Sequence, residues 1–171
     1  MLVGFGVESL LTACERAFEA CGVELGQITS TSLALASAVA TRRSSSGLTA
    51  LAHLQPEGYT LLLARRDEPV VVRLKPFAAG LPEEERAALV GQELRLTRSY
   101  IAERLPGEEL ETVVLAAPPE IATDWLRVLS EGLGHPAVAL SAAQLPLAAE
   151  GASAPWIELA PLLGAACREV A

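Results

Sequence analysis

The sequence predicts an α/β fold, in which a mixed sheet contains an antiparallel meander and is covered by helices. Three strand-like runs at residues 48–55, 59–65 and 69–75 follow one another across short turns, which predicts the meander. An amphipathic pattern at 82–105 and an apolar run at 111–116 add a long helix and a further strand. Apolar residues inside the second and third runs are continuous rather than alternating, which indicates a sheet buried on both faces.

The size of the chain limits the architecture to one domain or two small ones. Folding of 171 residues buries about 70% of the unfolded surface. With 51% hydrophobic but only 4% aromatic residues, the core must consist of Ala, Leu and Val. We predict a single domain over residues 1–171, with a helix-and-strand lead-in at 1–47, the meander, long helix and strand at 48–117, and C-terminal helices at 118–171.

Charge and cysteine content restrict the partners and the compartment. The net charge of -8 argues against nucleic acid or an anionic membrane surface as the main partner. No apolar run approaches the roughly 18 residues of a membrane span, and no Lys/Arg-led signal segment begins the chain. Three cysteines without close pairing fit a reducing compartment. We therefore expect a soluble, cytoplasmic protein.

The lead-in begins with a predicted helix at residues 7–21, whose apolar residues recur at the spacing of one helix face. Gly22 stands where a helix commonly ends. Cys14 and Cys21 lie two turns apart on the apolar face, about 10 Å along the axis, which is too far for a disulfide. Because free cysteine is among the most buried residue types, we predict that both are core thiols.

The lead-in continues with a predicted short strand at 27–30 and an Ala-rich helix at 32–41 that packs against a flat surface. The basic pair Arg42 and Arg43 beside three serines is a candidate phosphate contact, although such a pair before a loop is more often simply solvated. We favour the solvated interpretation.

The long helix at 82–105 starts with Pro82 and three glutamates, which suit the positive end of a helix dipole. Consecutive helical residues point in different directions, so the glutamates are predicted as a solvated helix start rather than a metal site. The predicted inward stripe is Ala87, Val90, Leu94, Ile101 and Leu105, and the predicted outward residues are Glu93, Arg95, Arg98 and Glu103.

The C-terminal part is predicted to hold a helix at 120–130 that Gly132 and Gly134 break, with Trp125 directed inward. A short strand at 136–140, a loop at 141–154 and a terminal helix at 155–170 follow.

Residues suited to chemistry are few. His53 and His135 have no carboxylate or cysteine at metal-ligand spacing, and we predict that His53 faces outward or is satisfied locally. No nucleophile elbow, Walker loop or dinucleotide fingerprint is present, and the glycines at positions 4 and 6 are a weak anion signal. We therefore expect no catalytic, cofactor-binding or metal-binding residues and no enzyme activity.

Four segments in order resemble the type IV pilus assembly protein M (PilM) family. They are residues 91–115 (GQELRLTRSYIAERLPGEELETVVL), 7–23 (VESLLTACERAFEACGV), 70–73 (VVVR) and 159–168 (LAPLLGAACR). The resemblance extends over nearly the whole chain but matches only the C-terminal part of a PilM protein. The cytoplasmic part of the type II secretion L protein is a related family.

The resemblance implies an RNase H-like, actin-type half and a scaffold role in a pilus or secretion assembly platform. It implies a cytoplasmic location that is peripheral to the inner membrane, through the short cytoplasmic tail of an integral membrane partner, with a homodimer as a further possibility. Several family members bind ATP between two actin-like halves, so an atypical or partner-completed ATPase is the alternative.

Two turns depart from what an actin-type nucleotide site implies. The first turn normally carries an Asp-x-Gly pattern, whereas residues 52–58 contain no Asp, and Pro56 removes a backbone N–H that an anion would use. Glu57 could substitute as a carboxylate, but a turn glutamate is more often exposed. A Gly-Gly turn is expected after the strand at 113–116, and Ala117-Pro118-Pro119 stands there instead. We therefore expect no nucleotide cofactor.

The leading hypothesis is a non-catalytic interaction module of the assembly platform. The atypical ATPase is the second hypothesis, and a structural dimerisation domain unrelated to secretion is the third. Trp125 and Trp156 are candidate interface residues, because tryptophan is enriched in binding hot spots, but both fit a core role better.

Overall fold

The computed structural model describes residues 6–26, 28–40, 47–65, 68–141 and 160–161. These residues form nine elements, which are α1 (Glu8–Glu19), α2 (Thr31–Ala40), β1 (Leu48–Gln55), β2 (Gly58–Arg65), β3 (Glu68–Pro76), α3 (Glu83–Arg104), β4 (Leu110–Ala116), α4 (Pro119–Leu133) and β5 (Ala137–Ala139). The long helix and the strands predicted at 48–55, 59–65, 69–75, 111–116 and 136–140 form, with ends within one residue of the expected positions.

The five strands form one mixed sheet in the order β3-β2-β1-β4-β5. β1, β2 and β3 pair antiparallel, as the predicted meander requires. β4 lies parallel to β1, and β5 lies parallel to β4. Parallel neighbours need a long crossover connection. The helix α3 connects β3 to β4, which pairs with β1 on the far side of the meander, and α4 connects β4 to its parallel neighbour β5. The predicted α/β class with a mixed sheet is confirmed.

Helices cover both faces of the central strands. On one face, α3 and α4 pack over the larger core, whose buried members are Ala50, Ala52, Leu54, Tyr59, Leu61, Leu63, Val90, Leu94, Val113, Leu115, Trp125, Leu129 and Leu133. On the other face, Leu35 and Val39 of α2 pack with Leu51, Val114 and Ala160. The continuous apolar run of β2 is buried accordingly. The run at residues 70–72 in β3 is not, because β3 is the edge strand, and Val72 is 39% exposed.

The first helix does not belong to the core, which corrects the sequence prediction. None of its residues is buried, and Leu10 and Phe18 remain 63% and 48% exposed. Cys14 is partly buried and Cys21 is exposed, so the prediction of two core thiols was wrong. A periodic apolar face shows which side of a helix can be buried. It does not show whether the rest of the fold provides a surface against which that side packs. Gly22 does end the helix, with a φ of 75°.

The predicted strand at 27–30 is also wrong, because residues 28–30 form no strand. Ser30 instead caps α2, since its hydroxyl oxygen accepts a hydrogen bond of 3.2 Å from the backbone N–H of Leu33. The segment therefore leads directly into the helix. The Ala-rich helix itself packs against the sheet, as the sequence predicts.

The long helix keeps its predicted inward stripe around the buried residues Val90 and Leu94. Glu93, however, does not point freely into solvent. Its carboxylate lies 3.6 Å from Arg73 Nη1 and 3.2 Å from Lys75 Nζ, both on β3. Glu93 thus pairs with two cations on the edge strand. The spacing of apolar residues along a helix does not predict an ion pair with another element.

Gly132 does not break α4, which continues to Leu133 and ends at Gly134 with a φ of 70°. Gly132 is buried, and a Cβ atom placed on it would lie 2.6 Å from Leu94 Cβ. The glycine therefore allows α3 and α4 to approach closely.

Some predicted features lie outside the described residues: the Arg42–Arg43 pair, the glycine at position 4, Trp156 and most of the terminal helix. Of that helix, Ala160 and Pro161 are helical, and Ala160 is fully buried. Within the described ranges, no helix is long and apolar enough to cross a membrane.

Candidate functional site

The β1–β2 turn and the β4–α4 turn border one groove. β1 and β4 are parallel neighbours, so the turns that follow them leave the sheet at the same end. The groove, called here the turn groove, has a volume of about 230 Å³. It is lined by Leu54, Gln55, Pro56, Phe77, Glu83, Arg86, Pro118, Ile121 and Trp125. The two turns that the sequence singled out are therefore brought together in space.

Trp125 forms the shared floor between this groove and the core. Its side chain is only 2% exposed, so the predicted core role is confirmed. The indole Nε1–H donates a hydrogen bond of 2.5 Å to the Glu83 carboxylate at the start of α3. This bond satisfies the polar atom of a buried tryptophan and links the N-terminal turn of α3 to α4.

Arg86 is held on the wall of the turn groove by three contacts. Its Nε–H donates a hydrogen bond of 2.9 Å to the Leu81 carbonyl oxygen. The guanidinium carbon lies 5.3 Å from the centroid of the Phe77 ring, within the range of a cation–π contact. Nη1 lies 3.8 Å from the Glu83 carboxylate. The positive charge is thus already matched within the protein.

The residues around the two turns differ from those that an actin-type nucleotide site implies. Gly58, the glycine of the β1–β2 turn, is needed for another reason: a Cβ atom there would lie 2.8 Å from the Lys75 carbonyl oxygen on β3. The glycine therefore allows β2 and β3 to pack closely. Pro56 and Pro118 place their rings along the groove, and Pro56 has no N–H to donate. The Glu83 carboxylate is occupied by Trp125.

A second groove continues from the first between α3 and α4. This helix groove has a volume of about 260 Å³. It is lined by Glu83, Glu84, Ala87, Ile121, Asp124, Trp125, Arg127 and Val128. Glu83, Ile121 and Trp125 line both grooves, so the two form one surface. Its floor is apolar. Glu83 and Glu84 of α3 and Asp124 of α4 contribute carboxylates to its lining, and Arg127 of α4 contributes a guanidinium.

The histidines take no part in this surface. His53 is 8% exposed and faces α2, where its Nδ1 and the Ser32 hydroxyl share a buried hydrogen bond of 3.0 Å. His53 therefore does not face outward. Its hydrogen-bond partner, Ser32, is 21 residues away in the sequence. His135 Nδ1 donates to the Pro136 carbonyl oxygen at 3.0 Å. Among the described residues, no group of three or more His, Cys, Asp or Glu side chains could hold a metal ion.

Burial of His53 predicts acid sensitivity. Desolvation lowers the pKa of His53 below its ordinary value of 6.5. The unfolded chain therefore takes up this proton at a higher pH than the folded chain, so stability falls as pH decreases through 6.5. We expect the urea midpoint of the wild-type protein to decrease between about pH 7.5 and pH 5.5, and to decrease less in His53→Gln. His135→Gln is the control and should retain the wild-type pH dependence.

Sequence reasoning found the two turns but missed the residues that shape the groove between them. Phe77 follows the edge strand, and Arg86 lies one turn into α3, so neither adjoins the turns in sequence. Of the residues that shape the groove, the sequence indicated only Trp125, as a candidate interface residue. Its role as the floor of a surface groove depends on how α3 crosses α4, which no local pattern specifies.

Comparison with known proteins places the fold. No protein-family model matches the chain, and no curated protein matches it. The solved structure titled "PilM-PilN type IV pilus biogenesis complex" is similar over 94% of this chain and 58% of that chain, at 15% identity and a TM-score of 0.72. The ethanolamine utilization protein EutJ from Carboxydothermus hydrogenoformans is similar over 95% of this chain and 62% of its own, at 14% identity and a TM-score of 0.54.

These similarities confirm the predicted actin-type fold. At such low identity they show the fold alone. The chain spans about three fifths of the length of the two solved chains.

Proposed function

We propose that this protein is a non-catalytic scaffold in a bacterial type IV pilus or type II secretion assembly platform. In this role it binds the short cytoplasmic tail of an inner-membrane assembly protein and is held at the membrane through that partner. The proposal treats residues 1–171 as a single actin-type domain. The observation that supports it is the turn groove, which lies between the two turns where the resemblance implies a nucleotide site and whose lining includes Pro56 and Pro118.

Two further features support this role. The fold is similar to a chain of a PilM–PilN complex over 94% of the present chain, and that complex joins two pilus biogenesis proteins. The surface formed by the two grooves is suited to contact with another polypeptide, because it combines an apolar floor with charged side chains in its lining.

The alternative function is an actin-like ATPase whose site is atypical or is completed by a partner. The position of the turn groove favours it, since both turns of the expected nucleotide site do meet there. The alternative would require phosphate contacts that Pro56 and Pro118 do not offer. A direct comparison of the two ligands therefore separates the two functions.

We expect thermal unfolding to distinguish them. A ligand that binds only the native state at 100 times its Kd stabilises the protein by about 2.7 kcal/mol, which raises the midpoint by about 5–10 °C for a chain of this size. A synthetic peptide with the cytoplasmic tail of the proposed inner-membrane partner should raise the midpoint. ATP with magnesium should leave it unchanged.

The reverse result, a rise with ATP and none with the tail, would establish the ATPase alternative and refute the scaffold. If neither ligand changes the midpoint, and the tail also fails to bind in solution, the assembly-platform role is wrong.

A further inference from the structure

We propose that the surface formed by the turn groove and the helix groove binds a basic peptide segment, one that carries Lys or Arg residues on either side of an apolar anchor. The inference rests on the proposed function, because it describes the kind of tail that this scaffold would recognise. It names a binding surface and the chemistry of its occupant.

The shape of the two grooves favours an extended segment. Their volumes are about 230 and 260 Å³, and they share Glu83, Ile121 and Trp125, so they form two neighbouring depressions on one surface. The apolar residues Phe77, Ile121 and Val128 lie along them, with Trp125 between the two. An extended peptide that places an apolar side chain in each groove would cover Ile121, which lines both.

The charges beside the helix groove favour a cationic occupant. Glu84 and Asp124 line it and are exposed, and neither has an ion-pair partner in the part of the chain that the structure describes. Two cations also line the grooves, and both have partners: Arg86 contacts Leu81 and Phe77, and Arg127 pairs with Glu131 at 3.5 Å. The helix groove therefore presents two exposed carboxylates without an ion-pair partner among the described residues, next to an apolar floor.

The proposed partner supplies the matching charge. Cytoplasmic segments next to membrane spans carry an excess of Lys and Arg, because those residues determine orientation in the membrane. Such a tail would approach a protein of net charge -8 with favourable long-range attraction. An acidic or uncharged peptide would gain the apolar contacts but would leave Glu84 and Asp124 unmatched.

The test uses a short fluorescein-labelled peptide with a Leu-Phe centre and a Lys pair on each side, measured by fluorescence anisotropy on the full chain. We expect saturable binding that weakens as salt increases. A peptide with Glu in place of Lys, and one with Ser-Ser in place of Leu-Phe, should each bind at least tenfold more weakly.

Matched variants locate the site. The double variant Glu84→Gln/Asp124→Asn removes both unmatched charges and should weaken binding about fivefold to tenfold, whereas Ile121→Ser should weaken it more than tenfold. Glu85→Gln is the control, since Glu85 lies in the same first turn of α3 but lines neither groove. Ile121 is partly buried, so the folding of that variant is checked by circular dichroism, and the double variant keeps the test valid if Ile121→Ser is unstable.

Three results would overturn the inference: equal affinity for the Lys and Glu peptides, unchanged affinity in the double variant, or an equal loss in Glu85→Gln. The failure of the proposed function looks different. If the membrane protein's tail binds equally well to the wild type and the double variant, the scaffold role stands and this surface is wrong. If the Lys peptide binds at the groove but the tail does not, the surface stands and the scaffold role is wrong.

Discussion

Replacing Leu35 by alanine is expected to lower the free energy of unfolding by about 2–5 kcal/mol. Leu35 is completely buried between α2 and the sheet, where it packs with Leu51 and Val114. The substitution removes apolar contact area and leaves a cavity beneath a helix whose attachment depends on few large side chains. For a chain of this size, the thermal midpoint should decrease by roughly 4–20 °C, measured by circular dichroism or calorimetry.

The same substitution on the other N-terminal helix is the control. Leu10→Ala removes a side chain that is 63% exposed on α1, so we expect a change within about 0.5 kcal/mol. Both helices have apolar residues at helical spacing, and only the tertiary structure separates their effects. A loss at Leu10 as large as that at Leu35 would mean that α1 packs in the core, as the sequence had predicted.

Local sequence patterns predicted the positions of the helices and strands better than they predicted which surfaces these elements bury. The strands β1 to β4 and the helix α3 follow from runs of apolar residues, turn residues and an acidic helix start, all of which act over a few positions. The burial of α1, the strand at 27–30 and the outward orientation of Glu93 were wrong, because each depends on a surface supplied elsewhere in the chain. Ser30 took the role of a helix cap, and Arg73 and Lys75 drew Glu93 inward.

At the candidate site, too, the local features could be predicted from the sequence and the contacts between elements could not. The turns at Pro56 and Pro118 could be identified from the order of strands and helices, and their residues already argued against nucleotide binding. That both turns border one groove follows from the parallel pairing of β1 and β4. The groove's shape, by contrast, depends on Phe77, Arg86 and Trp125, which meet only after α3 and α4 pack together. The actin-type sheet thus forms here with turn residues that differ from those the resemblance implies.

The second large effect is expected at two helical glycines, Gly132 and Gly91. The same Gly→Ala change should lower the free energy of unfolding at Gly132 and raise it at Gly91. Alanine in place of glycine inside a helix ordinarily stabilises by about 0.5–1 kcal/mol. At Gly91, an added Cβ would contact only Arg95 Nη1, at 3.5 Å, so Gly91→Ala should gain about this amount. At Gly132, the added atom would lie 2.6 Å from Leu94 Cβ, which is next to the backbone and not able to swing away.

We therefore expect Gly132→Ala to destabilise the protein by about 1–3 kcal/mol, the usual cost of overpacking a core. Leu94 is completely buried, so relief requires α3 and α4 to move apart, which would also widen the groove that lies between them. Denaturant unfolding of both variants measures the effect. The double variant Gly132→Ala/Leu94→Gly should lose less stability than the sum of the two single changes, since glycine at position 94 has no Cβ and the 2.6 Å contact is removed. Additive losses in this double-mutant cycle would show that the two helices do not meet at this pair.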